Sequence, residues 1–216
     1  KMFTKKTVKI SEYFLACSNK AGTDRFGKRI INQSNYAVLN NAIELHDYEY
    51  NKIIGDCIRE EFGLKDKFVV GHVGAFRAEK NHKFLIDIFK EISHKRNDAH
   101  LLLVGGGDDK LRAEIEKKIE DYGLKDKVTF SGVRTDVNKL LQAMDCFVFP
   151  SIYEGLPVTL IEAQATGVLC FISDIITDEV CVTDLVEKLS IDLDASKWCE
   201  KILDKKKRKR VRYLVI

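Results

Sequence analysis

Two carboxylates, Glu154 and Glu162, flank a Gly155-Leu156-Pro157 turn within the stretch PSIYEGLPVTLIEAQATGVLCFISD, residues 150–174. An apolar run, Cys146 to Phe149, precedes it, and a second, Leu169 to Ile172, follows. The pattern predicts a strand, a tight turn, a helix and a strand, with acids at the turn and further along the helix. Pro157 suits the first helical position, where its missing N–H costs nothing. Gly155 permits close backbone approach, and free amides at that helix start would face an anion. At about 1.5 Å per helical residue the two acids stand up to roughly 12 Å apart. The paired acids of a retaining glycosidase lie only about 5–5.5 Å apart. The wider span suits a phosphorylated, polyhydroxylated ligand, with one acid on a sugar ring, the other on a ribose and phosphates between. The competing reading makes Glu154 a helix cap and Glu162 part of a solvated face.

Other residues of the same chemical character fall where strands should end. Gly74-Ala75-Phe76-Arg77-Ala78-Glu79-Lys80-Asn81 follows the apolar run FVVGHV and sets Arg77 and Lys80 at a strand-to-helix loop. Arg and Lys bonds to phosphate are charge-assisted, about 1.5–3 kcal/mol each. Gly105-Gly106-Gly107-Asp108-Asp109 allows a ligand or another backbone to come close. It is neither a dinucleotide fingerprint nor a P-loop, because Lys110 takes the third glycine position and no Gly-Lys-Ser/Thr follows. Ser131-Gly132-Val133-Arg134 offers backbone groups and an apolar edge to a base. Asp192-Leu193-Asp194 reads as a polar turn. The five histidines show no ligand spacing, so no metal site is expected, and no Ser/His/Asp nucleophile arrangement emerges.

The elements that must position these residues alternate regularly. Strands are expected at 68–76, 101–105, 127–133, 146–150, 169–173 and 188–191. Helices are expected over 84–92, where Phe84, Leu85, Ile88, Phe89 and Ile92 keep the helical period, and over 110–122, 136–144 and 157–166. Wholly apolar strands alternating with helices predict an α/β, doubly wound parallel sheet covered on both faces. Ligands of such sheets bind at the carboxyl ends of the strands. Upstream, strands at 12–18 and 36–39 enclose a helix from Asn19 to Gly27, too small a unit to bury its own apolar surface. A further helical patch covers 50–62. The expected division is 1–45 as the end of another domain and its crossover, 46–204 as the main domain, and 205–216 as a basic tail.

Composition agrees with a globular chain: 216 residues, 45% hydrophobic, 32% charged and a net charge of +3. No apolar run reaches the length of a membrane span, and no signal-peptide core follows the basic start. The six cysteines lack a Cys-x-x-Cys pair and read as free thiols, three of them in strand-like runs, in a reducing cytoplasm. The run KKKRKR, 205–210, reads as a solvated helix end, with contact to an anionic membrane surface as the alternative. A nucleic-acid partner is not expected, since no recognition element accompanies it.

Together these residues resemble the C-terminal half of the retaining family-four glycosyltransferases of GT-B fold, the bacterial exopolysaccharide and capsule type in particular. PSIYEGLPVTLIEAQATG is similar to that family's paired-glutamate signature, GAFRAEKN to its diphosphate loop, and VGGGD and FSGVRTDVNKLLQAMD to the segments between. Residues 12–44 resemble the end of its N-terminal domain and the crossover. The resemblance implies that Glu154 binds the donor sugar near the transferring carbon and Glu162 the ribose. It implies that amides of Gly155, Leu156, Pro157 and Val158 meet sugar and phosphates, with Pro157 lacking an N–H of its own. Lys80, with Gly74, Arg77 and Asn81, would hold the diphosphate. Gly105 and Gly107 would also take part in donor binding, and Gly132, Val133 and Arg134 would hold the base. It implies a UDP-sugar as substrate, no cofactor, no metal, and a saccharide or lipid-linked acceptor bound by an N-terminal domain. The expected place is the cytoplasm or the inner face of its membrane. Three positions depart from the family pattern: Ala75 where Arg is usual, Asn40-Asn41-Ala42 at the crossover, and Val168-Leu169 after Gly167. A sugar-nucleotide epimerase or hydrolase, or a non-catalytic binding module, are the other readings.

Overall fold

The computed structural model describes residue 8 and residues 10–205. Along the chain, β1 (Phe14–Ala16), α1 (Asn19–Phe26), α2 (Lys28–Ile31) and β2 (Tyr36–Val38) form a small unit whose strands pair in parallel. A 3₁₀ turn, Leu45–Tyr48, leads into α3 (Lys52–Glu61). Then come β3 (Phe68–Val73), α4 (His82–Lys95), β4 (Ala99–Val104), α5 (Asp109–Asp121) and β5 (Val128–Gly132). The second half runs α6 (Val137–Ala143), β6 (Cys146–Phe149), α7 (Val158–Ala165), β7 (Leu169–Ser173), β8 (Val186–Leu189) and α8 (Ala195–Asp204).

The strands β3 to β8 form one parallel sheet in the order β5-β4-β3-β6-β7-β8. Winding proceeds outward from β3 in one direction and then, from β6, in the other. That order defines a doubly wound fold, with its topological switch point between β3 and β6.

Side-chain alternation along the strands divides the core into two layers. Val69, Val73, Leu102, Val104, Phe147, Phe149, Cys170 and Ile172 face one layer, which α3, α6 and α7 close with Ile58, Leu140, Leu141 and Leu160. Val70, Leu101, Leu103, Val148 and Phe171 face the other, closed by α4, α5 and α8 with Phe89, Ile115 and Trp198. Helix starts are fixed by side-chain caps: Ser18 accepts from Ala21 N, Asn51 from Ile53 N, and Asp108 from Lys110 N and Leu111 N.

The expected fold class and element order hold, with three corrections. Strand β8 lies two residues earlier than expected, because an edge strand tolerates Glu187 and Lys188, which broke the apolar signal. The sequence reading missed α8, whose Trp198, Cys199 and Ile202 are buried against α4, and the short α2. Pro157 is the residue before α7, extended at φ −72° and ψ 108°, so the helix begins at Val158. Only four of the eight steps from Glu154 to Glu162 are therefore helical, and the roughly 12 Å span, which assumed helical rise throughout, does not apply. No disulfide links the six cysteines, all of which lie among the described residues; Cys146, Cys170 and Cys199 are buried, whereas Cys17 is half-buried and Cys57 exposed. Of the basic tail only Lys205 is described; it pairs with Glu187. The remainder, 206–216, lies outside the described residues.

Candidate functional site

The loops after β3 and β6 meet at the switch point and are laced together. Asn81, in the left-handed conformation at φ 54° and ψ 42°, donates from Nδ2 to the Pro150 carbonyl at 3.2 Å. In the other direction, Ile152 N donates to the Glu79 carbonyl at 2.8 Å. Between these bonds Lys80 Nζ reaches Glu154 Oε1 at 2.7 Å, with side chains only 17% and 12% exposed. Lys80 also lies 4.6 Å from the Phe149 ring centroid, at the end of β6. Glu154 thus caps no helix, and the first loop delivers its cation to the second loop's acid.

A floor of aromatic rings supports the pair. His72 is fully buried on β3 and meets the Val148 carbonyl through Nδ1 at 2.9 Å. Its ring packs edge-on to His82 at 4.8 Å, and His82 stacks on Phe76 at 4.6 Å. Burial, and then the charge of Lys80, push His82 down to about 4; burial pushes His72 well below the ordinary range, aided by His82 and Lys80. Both rings are neutral at pH 7, which leaves Lys80 as the cation of this cluster. A side chain at Gly74 would lie 2.9 Å from His72 Nε2 and 3.4 Å from Lys80 Cδ, so the bare glycine leaves room for the lysine stem.

Helix α7 starts beside Glu154 with no side-chain cap. Its amino end presents backbone N–H groups and the positive pole of the helix dipole towards the loop. Further along, Glu162 does not stand on a solvated face. Its Oε1 accepts from the Tyr48 hydroxyl at 2.8 Å. Tyr48 lies 114 residues away in sequence, and neither spacing nor residue type flagged it.

The remaining expected residues divide into two groups. Gly105 and Gly107 make their close approach to another backbone. A Cβ on Gly105 would sit 2.3 Å from Gly74 O, and one on Gly107 would sit 2.7 Å from Phe76 N. Phe76 N donates to Gly106 O at 2.7 Å, and Asp108 N to Phe76 O at 3.0 Å, which docks the β4–α5 loop on the β3–α4 loop. Gly132 ends β5 and accepts from Gly105 N at 2.9 Å. Val133 beside it is 80% exposed, an apolar platform next to Gly106. Arg134, by contrast, is fully engaged, forking to Asp136 and to Glu61 with contacts of 2.8 Å each. Arg77 is 68% exposed and 3.9 Å from Glu79, beside a hollow shared with Asp108, Lys110 and Glu114. Ala75 contributes no charge.

The amino-terminal unit packs on the same loop and on the turn after β7. Ser18 Oγ donates to Gly155 O at 3.4 Å, Tyr153 OH to Asp24 at 3.3 Å, and Asn19 N to Glu179 at 3.0 Å. The crossover residues Asn40, Asn41 and Ala42 line a hollow of about 500 Å³ with Leu156 and Ile161. Among the described residues no group of three or more His, Cys, Asp or Glu is placed to hold a metal ion, and no helix is long and apolar enough to cross a membrane.

The chain is 36% identical over 189 residues to a putative glycosyltransferase, EpsF, of Bacillus subtilis, a match covering 87% of the chain and 49% of that protein. It is 29% identical over 160 residues to the Escherichia coli UDP-Gal:alpha-D-GlcNAc-diphosphoundecaprenol alpha-1,3-galactosyltransferase, covering 73% of the chain and 41% of the relative. The chain therefore spans about half the length of these curated relatives. In fold it is similar to Anabaena HepE in complex with UDP-glucose, with a TM-score of 0.80 at 18% identity, covering 94% of the chain and 56% of that structure. The family model described as glycosyl transferases group 1 matches residues 56–210, from within α3 past the end of α8. With the switch-point loops, the glutamate-bearing α7 and the sheet order in place, the chain belongs to the group 1 glycosyltransferases and carries a domain of their GT-B fold.

Proposed function

We propose that this chain is the donor-binding half of a retaining glycosyltransferase that takes a nucleotide-diphosphate sugar, a UDP-sugar in first place. The observation that carries the proposal is the Lys80–Glu154 contact at the switch point, beside the uncapped start of α7. On this reading Lys80 and the α7 amides together hold the diphosphate. Glu154, held by Lys80, offers its carboxylate to the hydroxyls of the sugar attached to that diphosphate. Glu162 accepts from the ribose, and Val133 with the Gly105–Gly107 turn borders the base.

Catalysis on this reading is electrostatic. As the bond from the sugar to the diphosphate breaks, negative charge grows on the leaving phosphate oxygens. Fixed donors in a partly desolvated site stabilise that charge without reorganising, which is worth more than the same contacts in water. Lys80 and the helix pole supply this stabilisation, so turnover requires no metal. Retention follows the resemblance of the paired-glutamate segment. The acceptor, a saccharide or lipid-linked saccharide, belongs to the part of the longer relatives that this chain does not cover.

The test uses the full-length enzyme with a panel of nucleotide sugars and saccharide acceptors. Expected are a product with the donor's anomeric configuration by NMR, undiminished turnover in EDTA, and a fall in kcat for Glu154→Gln. An inverted product, or consumption of donor at equal rate without acceptor, contradicts the proposal. The second outcome would favour an epimerase or hydrolase.

A further inference from the structure

We infer that Tyr48 is a positioning residue for Glu162 and, through it, sets the site's selectivity for ligands that carry a ribose diol. The inference rests on the donor-site reading above and adds a residue to it. Three observations carry it. First, the Tyr48 phenol donates to Glu162 Oε1 at 2.8 Å, and Tyr48 packs half-buried against the core layer that holds α7. Second, Tyr48 belongs to a backbone strap that α6 clamps on both sides. Asn138 Nδ2 donates to the Asp47 carbonyl at 2.9 Å, and Gln142 Nε2 to the Glu49 carbonyl at 3.1 Å. The other end of the Gln142 amide accepts from Asn51 N at 3.1 Å, so one side chain holds the strap through two bonds. Third, burial and the Glu162 contact raise the Tyr48 pKa, which keeps the phenol protonated and a donor.

A carboxylate on an exposed helix position samples several rotamers, and each costs entropy when a ligand selects one. Here the clamped phenol fixes one oxygen of Glu162 in advance. An ionised carboxylate accepts at about four lone-pair positions, and the phenol uses one of them. The rest stay available to two adjacent hydroxyls. A phenol on a loose loop would compete with the ribose; one held by Asn138 and Gln142 orients its acceptor.

The test is titration calorimetry with UDP and 2′,3′-dideoxy-UDP on the wild-type chain, Tyr48→Phe, Glu162→Ala and the double variant. Y48F is expected to weaken UDP about five- to tenfold, to leave the dideoxy ligand unchanged, and to add nothing in the E162A background. Equal UDP affinity for Y48F and wild type overturns the inference, as does equal weakening of both ligands, the mark of a purely structural role. Should Y48F fail to fold, Asn138→Ala carries the test, with an expected loss of about two- to threefold for UDP alone; equal loss on both ligands overturns it. A wild-type chain that binds no nucleoside diphosphate would overturn the donor-site reading itself, and this inference with it.

Discussion

Lys80 and Glu154 lie 74 residues apart in sequence and 2.7 Å apart in space, and each is about six-sevenths buried. An ion pair so placed keeps much of its field, whereas exposed pairs such as Lys52–Asp56 are screened and contribute little. For nucleoside diphosphate binding, Lys80→Ala is expected to cost about 1.5–3 kcal/mol, the worth of a charge-assisted bond, readable by calorimetry. The neutral histidines give a pH signature. The His82 pKa falls from 6.5 unfolded to about 4 folded, so the unfolded chain binds the extra proton between those values. His82's contribution to stability is complete above pH 6.5 and is lost as the pH falls towards 4. Denaturant titrations from pH 7 to 4 should show that decline, shallower in His82→Phe; His100, also pushed down to about 4 by burial and Lys67, retains part of it. The glutamates of the candidate site were legible as candidates because both sit on one short segment with a turn between them. Tyr48 was not, since its partner is remote and its strap has no periodicity. Arg134 looked available because sequence hides competitors: Glu61 and Asp136 claim its guanidinium.

At the level of elements, the apolar runs and helical periods placed β3 to β7 and the helices between them to within a few residues. Fully buried strands have no reason to carry charge, so their runs are unbroken. Edge strands have no such constraint, and β8 was displaced in the reading for that reason. The anchoring of α3 was also hidden. Arg59 binds Asp145 at 2.7 Å, with 16% and 7% exposure, and Asp145 also accepts from Val69 N at 2.8 Å. Helix, sheet and the α6–β6 turn meet at that carboxylate. Asp145→Ala removes one partner and leaves a buried guanidinium and amide, an expected loss of about 3–5 kcal/mol in chemical denaturation. The opposite end of β3 carries the candidate site, so nucleotide affinity in the folded fraction is expected to be unchanged.

Seen as a whole, the molecule sets all of its candidate donor contacts on the carboxyl edge of one sheet, where the winding reverses. Two loops laced by Asn81–Pro150 and Ile152–Glu79 hold Lys80 against Glu154, and a strap from the crossover steadies Glu162. The chain spans about half of the length of its curated relatives, so chemistry on an acceptor is not claimed for this chain. Donor recognition, in contrast, is expected from this chain alone. The most direct test is calorimetric titration of the chain with UDP, GDP and ADP, repeated for Glu162→Ala. The prediction is saturable one-to-one binding of one of the three, UDP first, weakened at least tenfold in E162A, since a lost bond to a charged acceptor costs about 1.5–3 kcal/mol. Binding of none of them, or an E162A chain that binds as tightly as wild type, would contradict the account.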